Sequence, residues 1–140
     1  MWLFRRKRRQ RRRRRKPTAH YIKHKEAGRA FIHSRLAIFN THYRFVYKRV
    51  AIKNQRSCWG SCSEHGNLNF NYKLAFLPSH IADYVIVHEL CHLAELNHSP
   101  RFWSLVSQKC PEYKNCRTEL KTMTMRGVQY PYGRTTTKNS

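Results

Sequence analysis

Acidic residues are scarce in this chain: seven Asp and Glu stand against 29 Lys and Arg, a formal net charge of +22 over 140 residues. A surface of that sign turns away from cations and toward polyanions or anionic lipid, and it leaves the fold open. A long apolar run is also missing. No stretch approaches the roughly 20 residues that a spanning helix needs, and the leading Met-Trp-Leu-Phe is too short, and on the wrong side of the basic run, for a secretory signal. Nor do the cysteines form a framework. Five of them, an odd number at irregular spacing (Cys58, Cys62, Cys91, Cys110, Cys116), do not suit a secreted disulfide scaffold, and Cys58-x3-Cys62 lacks a second pair to complete a structural zinc site. A reducing, cytoplasmic setting is expected. No internal repeat is present, and the length suits one domain with a modest core.

Eleven positive charges lie between Arg5 and Lys16. Such a run repels itself and stays unfolded without a partner. The expected organisation is a disordered polybasic tail over 1–17, a folded domain over 18–125 and a flexible polar tail over 126–140. The basic residues 5–16 are expected to meet nucleic acid or an anionic surface without sequence preference.

The chain is organised around His88-Glu89-Leu90-Cys91-His92, followed six residues later by His98. Two histidines four apart on a helix project from one face, so both imidazoles can converge on one ion. Glu89 points about 100° away around the axis, where it can reach water at the metal rather than join the ligands. With the helix ending near Asn97, His98 returns as third ligand and one coordination position stays open, the pattern of a hydrolytic zinc site with one Zn2+ per chain. Glu95 is a rival third ligand, since it shares the helical face of His88 and His92. From one straight helix it lies about 10 Å along the axis from His88, so His98 is preferred.

The rest of the pattern is α+β. A helix is expected from Tyr21 to Thr41, with a stripe of Ala27, Phe31, Ile32, Leu36, Ile38 and Phe39. Arg44–Ile52, Ser57–Cys62 and a stretch in which Leu68 and Phe70 alternate with Asn67, Asn69 and Asn71 read as a small antiparallel meander. Gly60 interrupts the second strand, where a missing side chain permits a bulge or a close approach. Pro78-Ser79 opens the central helix with Ser79 as its cap. That helix is apolar on nearly all sides and is therefore expected between the sheet and the first helix. Pro100 starts a short helix packed under the third ligand, and Pro111 another, running to about Met123.

Four stretches carry a family resemblance: Ser57-Cys58-Trp59-Gly60-Ser61-Cys62-Ser63, the strand with Asn69 and Asn71, Asp83 through Leu93, and Asn97-His98-Ser99-Pro100-Arg101-Phe102-Trp103. In order and spacing, from about Lys23 to Tyr113, they resemble the YgjP-like metallopeptidases, relatives of the SprT group. The resemblance implies a small zincin-like domain with a short antiparallel sheet packed on an active-site helix, zinc ligands at His88, His92 and His98, and Glu89 as general base. Trp59, Gly60 and Ser61 are the expected substrate contacts, on an edge strand that an extended peptide can join. The family usually carries Arg where this chain has Cys58, and the polybasic run is not part of the pattern. The expected activity is zinc-dependent hydrolysis of peptide bonds in a protein or peptide substrate. A zinc-dependent nucleoside triphosphate phosphohydrolase and a non-catalytic nucleic-acid-binding module with structural zinc are the alternatives.

Overall fold

The computed structural model describes residues 15–123; residues 1–14 of the basic tail and the whole of 126–140 lie outside the described residues. A long helix, α1, spans Ala19–Tyr43. Thr18 caps it by accepting the Tyr21 N–H at 3.2 Å. Arg44 closes it in the left-handed conformation, φ 56°, and donates its N–H to the Asn40 carbonyl. The stripe that faces inward is Gly28, Ile32 and Leu36, with Phe31 and Phe39 half-buried beside it. Ile38, expected on that stripe, is 54% exposed. Six residues beyond Ile32, it has rotated to the outer face. Gly28 makes the close approach: a Cβ there would stand 2.9 Å from the Tyr72 carbonyl oxygen, so α1 rests directly on a 3₁₀ turn at Tyr72–Phe76.

Three strands, β1 (Arg49–Lys53), β2 (Gly60–Cys62) and β3 (Asn67–Asn71), form one sheet in the order β1-β3-β2. β2 and β3 pair antiparallel, through a turn in which Gly66 takes φ 80°. β1 and β3 run parallel, in a register from Arg49 opposite Asn67 to Lys53 opposite Asn71. The sheet is therefore mixed and not the expected antiparallel meander. Segment 54–59 carries the chain past β3, which takes the centre because Leu68 and Phe70 are fully buried there. β1 begins later than expected, and Val46 ahead of it is 90% exposed.

The central helix α2 (Ser79–Cys91) packs on α1, on β2 and β3, and on two short helices, α3 (Pro100–Lys109) and α4 (Tyr113–Thr122). Partners on so many sides account for its run of buried residues from Tyr84 to Val87 and from Glu89 to Cys91. Ser79 is the first helical residue rather than the cap. Pro78 stands before it, and its carbonyl accepts the N–H groups of Ile81 and Ala82 at 3.0 Å. Arg35 of α1 grips Asp83 of α2 through two parallel hydrogen bonds of 2.8 and 2.7 Å, which fixes the rotation of α2 about its axis. The fold is α+β, and the last turns of α2 set Glu89 against Gly60 of β2.

Candidate metal centre

His88 lies in the last turn of α2 and His92 is its C-cap. The helix ends there, well before Asn97. Leu93 and Ala94 turn their N–H groups back onto the Leu90 and Cys91 carbonyls at 3.1 Å. His92 Nδ1 sits 2.8 Å from the Glu95 carbonyl oxygen, which can only accept; Nδ1 therefore carries the proton and Nε2 presents a lone pair. The turn brings His98 back over the helix end.

The three Nε2 atoms form a triangle with sides of 3.1 Å (His88 to His92), 3.1 Å (His92 to His98) and 3.2 Å (His98 to His88). Nitrogens bound to one tetrahedral zinc at about 2.0–2.1 Å stand about 3.3 Å apart, close to this spacing. Burial lowers the pKa of all three rings, His88 furthest, to about 3; neighbouring rings add to the effect at His88 and His92, and Arg117 at His88 and His98. Neutral imidazoles with lone pairs turned on one point are what a borderline-soft divalent cation takes. The donor set fits a zinc ion. Among the described residues no other group of three or more His, Cys, Asp or Glu converges in this way. Glu95 is not part of the cluster, and its Oε1 pairs with Arg101 Nε at 3.3 Å.

An aromatic bed holds the triad. Pro100 at the start of α3, with Ser99 as cap, sets the fully buried Phe102 under the rings: it stacks on His92 at 4.4 Å and meets His88 and His98 edge-on at 5.0 Å. Trp103 stacks on His98 at 5.7 Å, Tyr113 on Trp103 at 4.9 Å, and the Arg117 guanidinium lies 5.2 Å from the Trp103 ring centre. Tyr113 and Arg117 thus brace His98 through Trp103, and nothing in their local sequence signals that role.

Glu89 is 8% exposed, and burial pushes its carboxyl up to about 8. Its side chain lies against β2, where a Cβ on Gly60 would stand 2.9 Å from Glu89 Cγ. The expected close approach at Gly60 is therefore to a carboxylate side chain. Glu89 and His88 share a cavity of about 180 Å3 with Trp59, Gly60, Tyr84, Val85 and Leu120. Ser61 is not in its lining; the Ser61 hydroxyl accepts from Asn69 Nδ2 at 3.2 Å.

The residue that alternation misplaces is Asn71. It shares the parity of Asn67 and Asn69, yet it is fully buried. Its Nδ2 donates to the Gln55 carbonyl at 2.7 Å and the Cys58 carbonyl at 3.3 Å, and its N–H to the Trp59 carbonyl at 2.9 Å. One asparagine thereby pins the loop that delivers Trp59 and Gly60 to Glu89. Cys58, in the same loop, donates to Gln55 Oε1 at 2.6 Å, and burial together with Glu89 pushes its thiol up.

A family model described as YgjP-like, metallopeptidase domain, matches residues 2–123. The chain belongs to this family. The match takes in the basic run that the motif resemblance left out. Two solved structures share the YgjP-like chain's fold. One is the metallopeptidase zymogen of Pyrococcus abyssi abylysin, with a TM-score of 0.58 and 21% identity over 65% of this chain and 92% of that one. The other is the metallopeptidase zymogen of Methanocaldococcus jannaschii jannalysin, with a TM-score of 0.50 and 20% identity over 69% of this chain and 97% of that one. No curated protein matches the chain.

Proposed function

We propose that this YgjP-like chain hydrolyses peptide bonds with one zinc ion held by His88, His92 and His98, and that 18–125 is the catalytic domain. One observation carries the reading: the buried Glu89 lines the same cavity as His88, one corner of a histidine triangle of ligand size. The chemistry zinc supplies at such a triad is Lewis acidity, which polarises a scissile carbonyl and brings the pKa of water toward neutrality. Glu89 takes the proton of the attacking water and passes it to the leaving amine. Burial favours proton uptake by this carboxylate. β2 is an edge strand of the sheet, bonded to β3 on one side only, and an extended substrate joins it there through backbone hydrogen bonds, with Trp59 beside the scissile bond. The hydroxyl of Ser61 turns to Asn69, and the antiparallel register turns its backbone groups toward β3 as well, which leaves the outward backbone groups of Gly60 and Cys62 for a substrate.

Among the described residues no Lys or Arg lines this cavity, and its walls are largely apolar. A triphosphate needs convergent cations, so the lining favours a peptide over a nucleotide. All five cysteines are free, which supports a cytoplasmic setting. No helix among the described residues is long and apolar enough to cross a membrane.

The test is metal analysis of the full chain together with cleavage of an unfolded protein such as casein. One zinc per chain is expected, with cleavage abolished by 1,10-phenanthroline and restored by added zinc. Cleavage indifferent to the chelator sinks the reading, and chelator-sensitive phosphate release from nucleoside triphosphates in its place selects the phosphohydrolase.

Gly60→Ala probes the wall of the same cavity. The added methyl meets Glu89 Cγ at 2.9 Å and the Asn69 carbonyl oxygen at 3.2 Å, so Glu89 has to move. Turnover is expected to fall about 100-fold, the usual consequence of a misplacement near 1 Å, with zinc content retained. Wild-type turnover in this variant would show that the carboxylate position is not critical.

A further inference from the structure

A second cavity, of about 960 Å3, opens where the start of α1 meets the end of β1 and segment 54–56, and it shares no lining residue with the metal centre. Its lining includes Arg15, Lys16, Lys53, Arg56 and Lys73 and no Asp or Glu. Arg15, Lys16, Lys53 and Arg56 are exposed, and none of the four has a carboxylate partner among the described residues. Like charges gathered around a concavity repel one another, and an anion in the cavity relieves that cost. The start of α1 adds to the field. This is a helix of 25 residues with no acid in its first turn, so only the Thr18 cap offsets its positive end, and Thr18, His20 and Tyr21 of that end line the cavity. The half-buried ring of Tyr21 and the side chain of Asn54 supply a flat apolar surface and an amide.

We propose that this cavity binds the sugar-phosphate backbone of single-stranded nucleic acid. Two features select that ligand. Four exposed cations, Arg15, Lys16, Lys53 and Arg56, are spread around the cavity wall, more than one phosphate can pair. The cavity volume suits one or two nucleotides of one strand, and the Tyr21 ring in its lining offers a stacking surface to an unpaired base, which a duplex keeps inside its own stack. The floor is rigid, because Asn71 holds the Gln55 and Cys58 carbonyls of the same loop. The site does not depend on the peptidase reading.

The test uses the full chain and fluorescein-labelled oligothymidylate and oligouridylate of about 20 nucleotides, followed by anisotropy over a salt series. Lys53→Glu with Arg56→Glu reverses two cavity charges. Lys109→Glu with Lys114→Glu changes net charge equally at exposed positions on α3 and α4. Zinc content and circular dichroism verify that both double variants fold. The cavity variant is expected to lose at least ten times more affinity than the control, and to flatten the log-log salt dependence by about 1.4, two phosphates at about 0.7 each. Equal losses in the two variants overturn the proposal, because the affinity then comes from diffuse charge. A duplex bound as tightly, with the same sensitivity to the cavity variant, overturns the single-strand assignment. A defect confined to phosphatidylserine vesicles makes the cavity a lipid site instead.

Discussion

Glu89→Gln is expected to lower peptide-bond hydrolysis by about two to four orders of magnitude while zinc content stays at the wild-type level. The substitution keeps size and shape, so the contact with Gly60 and the filling of the cavity between β2 and α2 survive. It removes only the ability to take a proton. A stability readout separates this from misfolding. In the metal-free protein, burial holds the Glu89 pKa at about 8 against an ordinary value of 4.5. Between those values the unfolded chain has released a proton that the folded chain keeps. Glu89's contribution to stability is therefore fully present below about pH 4.5 and is lost as pH rises toward 8. Gln does not titrate. Metal-free Glu89→Gln should gain on wild type across that window, measured as the difference in urea midpoint at several pH values. Activity retained at full rate would remove Glu89 from the mechanism, whatever the substrate.

The pairing of His88 with His92 in one cluster was legible in the sequence because helical spacing is a strong geometric constraint: residues four apart share a face whatever packs around them. The return of His98 was legible only in outcome. Leu93 to Asn97 has the composition of a continuing helix, yet α2 stops at Cys91. The His92 ring bonds the Glu95 carbonyl and Phe102 stacks on that ring, so tertiary contacts override local propensity. The bracing by Tyr113 and Arg117 acts across elements and leaves no mark in the sequence around either residue.

The sheet was legible as strands and as the antiparallel pairing of β2 with β3, but not in the pairing of β1. Alternation reports which side of a strand is apolar, and Leu68 and Phe70 obey it. It does not report which neighbour a strand takes. β1 pairs with β3 in parallel because segment 54–59 passes across the sheet, and the buried amide of Asn71 holds that segment in place. A polar side chain that satisfies backbone carbonyls in the interior looks, in one dimension, like a polar side chain facing water. Gly60 was visible as a place where something comes close; that the something is the Glu89 side chain needed the fold.

His98→Ala is expected to weaken zinc binding by at least about 100-fold, since even the loss of an outer partner that orients a ligand costs about 10–100-fold. His98 is exposed and lies beyond the end of α2, so its truncation removes its ring contacts with Trp103 and Phe102 but no buried core, and the metal-free variant should unfold within about 1.5 kcal/mol of metal-free wild type. The difference emerges with zinc. Binding that stabilises only the folded chain adds about 1.4 kcal/mol for each tenfold excess of free metal over Kd, so a 100-fold weaker site loses about 2.7 kcal/mol of that stabilisation. Glu95→Ala is the control: it breaks the ion pair with Arg101 and leaves the Nε2 triangle in place, and zinc content should not change. Wild-type zinc in His98→Ala together with zinc loss in Glu95→Ala would make Glu95 the third ligand. That exchange requires the 93–97 turn to rewind onto α2 and the His92 contact with the Glu95 carbonyl to break. The His92 ring orientation would then change with it, so the metal-free geometry argues for His98 through a contact that involves neither rival's side chain.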